Sequence, residues 1–233
     1  MVAFKLLALT TLVACVTAQN ATIRYMPFGD SITEIICWRS KLWNKLQGTE
    51  WATVNFVGSG KTENNCRDAK YDRDHEGHSG FLAVNIANNK QLDGWLKTNP
   101  ADVITMHLGT NDLVSGNKPV ADIIRAFTTL VASMRTSNPK MKIVVAKIIP
   151  VTYTAANTQV QALNAAIGPW AQGLNTTASP IWVVDQYTGF SVSGDLRDGV
   201  HPNDSGDTKM MNVWYPALIL SMMWGVLLNP DSV

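Results

Sequence analysis

The stretch MPFGDSIT, residues 26–33, decides the fold. An apolar strand runs directly into Gly29-Asp30-Ser31. Such an ending is either an ordinary turn or a device that holds a serine hydroxyl at the carboxyl edge of a sheet. The rest of the chain repeats the layout. DVITMHL (102–108) runs into Gly109-Thr110-Asn111-Asp112, and ATIRYMPF (21–28), TVNFVG (53–58), KIVVAKII (142–149) and IWVVDQY (181–187) are further strand patterns. Between them lie helical patterns: CWRSKLWNKLQ (37–47), FLAVNIANNKQLDGWLKT (81–98), PVADIIRAFTTLVASMRT (119–136) and TQVQALNAAIGPWAQGL (158–174). In the third of these, apolar residues recur three and four apart, as one buried helix face requires. KIVVAKII and DVITMHL are almost continuously apolar, which suits strands covered on both faces of a parallel sheet. The expectation is one α/β domain of three layers, α/β/α, with a flavodoxin-like five-stranded parallel sheet in the order 2-1-3-4-5.

At 233 residues and 46% hydrophobic content, the chain can bury one sizeable core. A net charge of +1, with no basic block or acidic tail, gives no support for a nucleic-acid partner. The N-terminus has Lys5, an uncharged run from Leu6 to Val16 and then Val16-Thr17-Ala18, the features of a signal peptide cut after Ala18. Residues 1–18 are therefore expected to be a leader, and 19–233 a single secreted domain. Of the three cysteines, Cys15 leaves with the leader, and Cys37 and Cys66 are expected to pair in an oxidising compartment. Asn20, Asn175 and Asn203 each begin an Asn-x-Ser/Thr glycan acceptor. The uncharged run MMNVWYPALILSMMWGVLL (210–228) is interrupted by Asn212 and Pro216. It reads as a helix covering the sheet rather than a membrane span.

Ligands of an open α/β sheet bind outside the carboxyl ends of the strands. There the sequence sets Ser31; then Gly77-His78-Ser79; then Asn111; then Asp198-Gly199-Val200-His201. A serine hydroxyl is a weak nucleophile until a base removes its proton. His201 is the candidate base, because an imidazole is mostly neutral and able to accept at neutral pH. Asp198, three residues earlier, can turn its carboxylate onto one ring nitrogen and leave the other for Ser31. Attack on an ester creates an oxyanion, for which the Ser31 N–H, the Gly77 N–H and the Asn111 side-chain amide are the candidate donors.

Gly29-Asp30-Ser31, Gly77, Gly109-Thr110-Asn111-Asp112 and Asp198-Gly199-Val200-His201 stand in the order of the GDSL, or SGNH, hydrolases, which this chain resembles over nearly all of its mature length. The four residues of the latter name would match Ser31, Gly77, Asn111 and His201. Ile32 stands where the motif has Leu, and Gly80 competes with Gly77 for the second block. GDSITEIICWRSKLW (29–43) and HEGHSGF (75–81) are similar to the secreted carbohydrate esterase family 3, which includes acetyl xylan esterases. The resemblance implies a serine esterase that removes acetyl groups from plant polysaccharide, with no cofactor and no metal. Its rivals are a lysophospholipase or broad acylhydrolase of the same superfamily, and a non-catalytic carbohydrate-binding protein on the same scaffold. Trp38, Arg39 and His78 are candidate substrate contacts, with Arg39 alternatively a brace for the acidic loop. DRDHEGH (72–78) matches no common zinc spacing. VGSGKT (57–62) has Asn55 where a phosphate loop needs its first glycine. A monomer with no membrane partner is expected.

Overall fold

The structure is a computed structural model that describes residues 22–67 and 70–227. The expected leader and Asn20 lie outside the described residues. The element order is β1 (Arg24–Gly29), α1 (Ser31–Glu34), α2 (Trp38–Gln47), β2 (Asn55–Phe56), β3 (Glu76–Gly77), α3 (Ala83–Asn88), α4 (Gln91–Thr98), β4 (Val103–His107), α5 (Thr110–Val114), α6 (Val120–Ser137), β5 (Lys142–Lys147), α7 (Thr154–Leu174), β6 (Ile181–Asp185) and α8 (Asp204–Leu227).

The sheet is parallel throughout, in the order β2-β1-β4-β5-β6, with β3 beside β1. Without β3, this is the expected 2-1-3-4-5. The sixth strand is two residues long, too short to show a period in sequence. It has a large effect on the site, because it sets Gly77 directly opposite Gly29. β2 pairs with the start of the same β1 edge, at Arg24 and Tyr25.

Alternation along the central strands explains the three layers. Met26, Phe28, Ile104, Met106, Ile143 and Val145 face a core shared with α3, α4, α6 and α7. Tyr25, Val103, Val144 and Ala146 face the opposite core, made by α2 and α8. The last helix does cover the sheet: Met210, Trp214, Leu218 and Met222 are buried, and Trp214 packs on Trp38 with ring centroids 5.8 Å apart. Among the described residues, no helix is long and apolar enough to cross a membrane. Two expectations need adjustment. The helical run 81–98 is two helices, α3 and α4, broken where Lys90 adopts a left-handed φ of 52°. Gly-Asp-Ser and Gly-Thr-Asn-Asp each lead straight into a short helix, α1 and α5.

β1 and β4 are neighbours, and their connections leave toward opposite sides of the sheet. The crevice of such a fold opens at this reversal. Ser31 follows β1 and Asn111 follows β4, so both stand at its mouth.

Candidate active site

Ser31 is the first residue of α1. Asp30 caps that helix, its Oδ1 accepting the Ile32 N–H at 2.9 Å. As a first-turn residue, Ser31 has no carbonyl one turn earlier to receive its own N–H. Asp30 is fully buried, which pushes its carboxyl up to about 7 against the pull of the Ile32 N–H. It supports the turn that carries Ser31 from within the core.

His201 comes from the loop before α8. Its Nδ1 lies 2.8 Å from Asp198 Oδ2, and its Nε2 lies 2.8 Å from Ser31 Oγ. A carboxylate can only accept, so Nδ1 carries the hydrogen and Nε2 is left to accept from the serine hydroxyl. Asp198 Oδ1 also accepts the His201 N–H at 2.8 Å and the Val200 N–H at 3.1 Å. Partial burial works against its charge, but these bonds outweigh that and hold the carboxyl below its ordinary range. The tight loop needs Gly199, whose φ is 88°. Thr152 pins it by donating N–H and Oγ1 to the Gly199 carbonyl, at 2.9 and 3.2 Å. Arg197 ties it to the serine side, donating to the Ile35 carbonyl at 3.2 Å.

Asn111 Nδ2 donates one hydrogen to the Phe81 carbonyl at 3.1 Å, which leaves its second for a ligand. Gly77 is held close by, but its N–H is donated to His75 Nδ1 at 3.0 Å, so in this structure that hydrogen is engaged. The glycine is nonetheless required for packing: a Cβ there would fall 2.7 Å from the Glu34 nitrogen. His75 is wholly buried, with Nε2 3.1 Å from the Thr62 carbonyl, and burial first, then the nearby Arg39 charge, lowers its pKa to about 3. Gly80 has a φ of 80°, with open space where a Cβ would be.

Two expected substrate contacts are corrected. Trp38 is buried, and its Nε1 donates to the Ile32 carbonyl at 2.8 Å. Arg39 is also buried and donates to four carbonyls: Thr33, Glu34, Thr62 and Arg73. Both stabilise the turn that carries Ser31, and Arg39 is the brace that was its alternative reading. His78 is only partly buried, and its backbone N–H donates to the Gly29 carbonyl at 3.0 Å. Its Nε2 is 2.7 Å from Glu76 Oε1, and its ring is stacked on Trp95 and Phe81 at centroid distances of 4.1 and 5.0 Å. The acidic run around it is divided among separate partners: Asp72 accepts the Phe56 N–H, Asp74 pairs with Lys61, and Glu76 accepts from Ser59 and His78.

Cys37 and Cys66 are bonded to each other, closing the segment before α2 onto the 60–76 loop. Asn175 is exposed, its Oδ1 accepting the Ile181 N–H. Asn203 caps α8, with Oδ1 accepting from Ser205 and Gly206 while Nδ2 donates to the Gly194 carbonyl at 2.8 Å. A glycan there would replace one of the two hydrogens of that nitrogen, which donate to the Gly194 and Leu196 carbonyls at 2.8 and 3.5 Å. Three contributors have no local sequence signal. Glu34 accepts the Ser79 N–H at 2.6 Å, Thr152 holds the His201 loop, and Asp207 reaches from α8 to accept the Cys37 and Trp38 N–H groups, each at 3.1 Å. His107, at the end of β4, accepts the Ile149 N–H on Nε2 and has no partner for Nδ1, so as a core histidine it is half satisfied.

Comparison with known proteins agrees with this geometry. The profile of the GDSL-like lipase/acylhydrolase family matches residues 28–209, from the end of β1 into α8. A crystal structure from Talaromyces cellulolyticus, described as a carbohydrate esterase family 3 protein, is 38% identical, covers 85% of this chain and 97% of its own, and superposes with a TM-score of 0.81. The chain belongs to the GDSL-like lipase/acylhydrolase family, in its carbohydrate esterase family 3 branch. An acetyl esterase, solved as a serine-to-alanine mutant with an acetate ion, is 37% identical over 88% of this chain and 100% of its own, with a TM-score of 0.82. The multidomain esterase of Ruminococcus flavefaciens is 28% identical over 223 residues. That match covers 85% of this chain but 28% of the relative, so the family 3 esterase chain spans under a third of that protein's length. As a family 3 member, the chain is a carboxylic ester hydrolase.

Proposed function

We propose that this chain is a secreted acetyl esterase that removes acetyl groups from plant polysaccharide through an acyl-enzyme on Ser31. Ser31 Oγ attacks the acetyl carbonyl carbon while His201 Nε2 takes its proton. The charge that forms on the carbonyl oxygen meets the Ser31 N–H and the second hydrogen of Asn111 Nδ2. The imidazolium is steadied by Asp198, and it returns the proton to the sugar oxygen as the ester C–O bond breaks. Water then attacks the acetyl-serine, losing its proton to Nε2, and the imidazolium returns that proton to Ser31 Oγ as the bond between Oγ and the acetyl carbon breaks and acetate leaves.

The observation that carries the reading is the unbroken chain Ser31 Oγ, His201, Asp198, with 2.8 Å at each link. The acetyl preference is supported by the acetyl esterase and family 3 neighbours, each covered almost completely by this chain at 37 and 38% identity. Secretion rests on the signal-peptide pattern of residues 1–18 and agrees with the bonded Cys37–Cys66 pair. The test is acetate release from acetylated xylan by the wild type and Ser31→Ala. The variant should fold normally and lose activity by about 10³-fold or more. Retained turnover in Ser31→Ala removes the mechanism, and faster hydrolysis of nitrophenyl octanoate than of nitrophenyl acetate removes the acetyl preference.

A further inference from the structure

We infer that the cleft between α5 and the start of α7 is the subsite for the sugar chain that bears the ester, with Tyr153 as the platform for a neighbouring pyranose ring. This rests on the acetyl esterase reading above and assigns the part of the substrate beyond the reacting acetyl group. The cleft has a volume of about 660 Å³ and is bounded by Val114, Asn117 and Lys118 on one side and by Tyr153, Ala156 and Gln159 on the other.

Both walls are joined to the reacting groups. α5 begins beside Asn111, and Val114 lies three residues on, on the same helical face. Across the cleft, Tyr153 directly follows Thr152, whose two hydrogen bonds to the Gly199 carbonyl pin the His201 loop. One wall of the cleft thus begins two residues after Asn111, and the other begins one residue after the Thr152 that holds the Gly199 carbonyl, two residues before His201.

The surface here is unusual for this protein. Among the described residues, six large apolar side chains are notably exposed, and two of them line this cleft: Tyr153 at 55% and Val114 at 36%. A third, Phe81 at 37%, packs on His78 outside the cleft lining, and its carbonyl accepts from the Asn111 amide. An aromatic ring more than half in water on the wall of a cleft is placed to be covered by a ligand. The remaining lining determines what kind of ligand fits. Asn117 and Gln159 can both donate and accept, and Lys118 donates. A pyranose presents an apolar C–H face to a ring and hydroxyls around its edge, so it can satisfy both surfaces. An alkyl chain would cover the ring but take water from the amides and the ammonium group without replacing their hydrogen bonds.

The cleft is also preformed. The Gly116 N–H donates to the Asn111 carbonyl and the Lys118 N–H to the Asp112 carbonyl, each at 2.8 Å. Asp112 itself is buried, with its carboxylate accepting the Ala83 and Val84 N–H groups. On the other wall, Asn157 Oδ1 accepts the Val151 N–H at 3.2 Å. A ligand entering such a site has little ordering cost to meet.

The test compares the full chain with Tyr153→Ala and Tyr153→Phe on acetylated xylo-oligosaccharide and on nitrophenyl acetate, with unacetylated xylotetraose as an inhibitor of nitrophenyl acetate hydrolysis. Covering one face of the ring removes on the order of 50 Å² from water, which corresponds to about tenfold in affinity. Tyr153→Ala should raise KM for the oligosaccharide about tenfold and lower the oligosaccharide-to-nitrophenyl acetate ratio of kcat/KM by the same factor. It should weaken xylotetraose inhibition to match, while Tyr153→Phe keeps both within about twofold. An unchanged ratio with unchanged xylotetraose inhibition overturns the proposal. So does a selective loss on nitrophenyl butyrate and hexanoate, which would make the cleft an acyl groove. A wild type that is inhibited by xylotetraose through Tyr153, yet releases no acetate from acetylated sugar, keeps the subsite and removes the acetyl esterase reading instead.

Discussion

Replacing Arg39 with Met separates a brace from a substrate contact. Its guanidinium is wholly buried and, among the described residues, forms no salt bridge with a carboxylate. Instead Nε donates to the Thr33 carbonyl at 2.7 Å, Nη1 to Arg73 at 2.9 Å, and Nη2 to Glu34 at 2.9 Å and to Thr62 at 2.7 Å. Burial lowers its pKa, with Tyr71, Tyr25 and the carboxylates of Glu63 and Glu34 opposing that. Met fills much of the same space and removes every donor, so four carbonyls lose their partner together. A buried polar group left unsatisfied costs about 1–3 kcal/mol. Four therefore cost roughly 4–12 kcal/mol before relief, and release from the cost of burying a charge returns several kcal/mol. A net loss of about 3–5 kcal/mol is expected, a large share of the roughly 5–15 kcal/mol that holds a domain folded. Urea unfolding, followed by tryptophan fluorescence, measures it. KM for nitrophenyl acetate, taken at low temperature where the variant is still folded, should move by no more than about threefold. A stability loss below about 1 kcal/mol together with a KM rise above tenfold would refute the brace and return Arg39 to the substrate.

Two further outcomes follow from the same region. Asp30 has a folded pKa of about 7 against an ordinary 3.8, so between those values the folded state holds the proton more tightly and stability falls as pH rises, by at most about 1.4 kcal/mol per pH unit. Asp30→Asn should flatten that part of the stability profile from urea midpoints at pH 4.5 to 7, and a slope identical to wild type would show that Asp30 is already ionised. Removing the Cys37–Cys66 bond, which spans 29 residues, should lower stability by about 2–4 kcal/mol in a Cys37→Ser/Cys66→Ser variant, and an unaltered melting temperature would count against its role in fixing the 60–76 loop.

The residues legible in the sequence were those whose chemical type is dictated by the reaction. A hydroxyl, an imidazole and a carboxylate at strand ends have few substitutes, and the apolar runs of DVITMHL and KIVVAKII left little choice about where the strands lay. What escaped reading was whatever depends on shape at long range. Trp38 and Arg39 stand seven and eight residues after Ser31 in a motif-like run, yet α1 turns the chain so that both side chains point into the body of the protein. β3 acts through two residues and a partner strand 48 positions earlier, Gly29 opposite Gly77. Tyr153 belongs to no motif, and only the folded chain sets it across a cleft from α5. Its neighbour Thr152 has no meaning in sequence until the Gly199 carbonyl is found beside it.

The short distance between Ser31 and His201 is a property of a frame, and the frame is closed by the last helix. The two residues are 170 positions apart, and each sits on a turn that would be free on its own. Asn203 stops the His201 loop by capping α8, and one turn later Asp207 accepts the Cys37 and Trp38 N–H groups at the start of α2. α2 in turn carries Arg39, whose guanidinium grips the carbonyls of Thr33 and Glu34, only two and three residues past Ser31. Arg197 completes the circuit by donating to the Ile35 carbonyl from the His201 side. Serine and imidazole are thus held by opposite ends of one ring of hydrogen bonds, so loosening any member moves Oγ relative to Nε2. In such a frame, damage at Asp207 or Arg39 should lower turnover through misalignment while KM stays nearly level, whereas damage at Tyr153 should raise KM and leave the alignment intact.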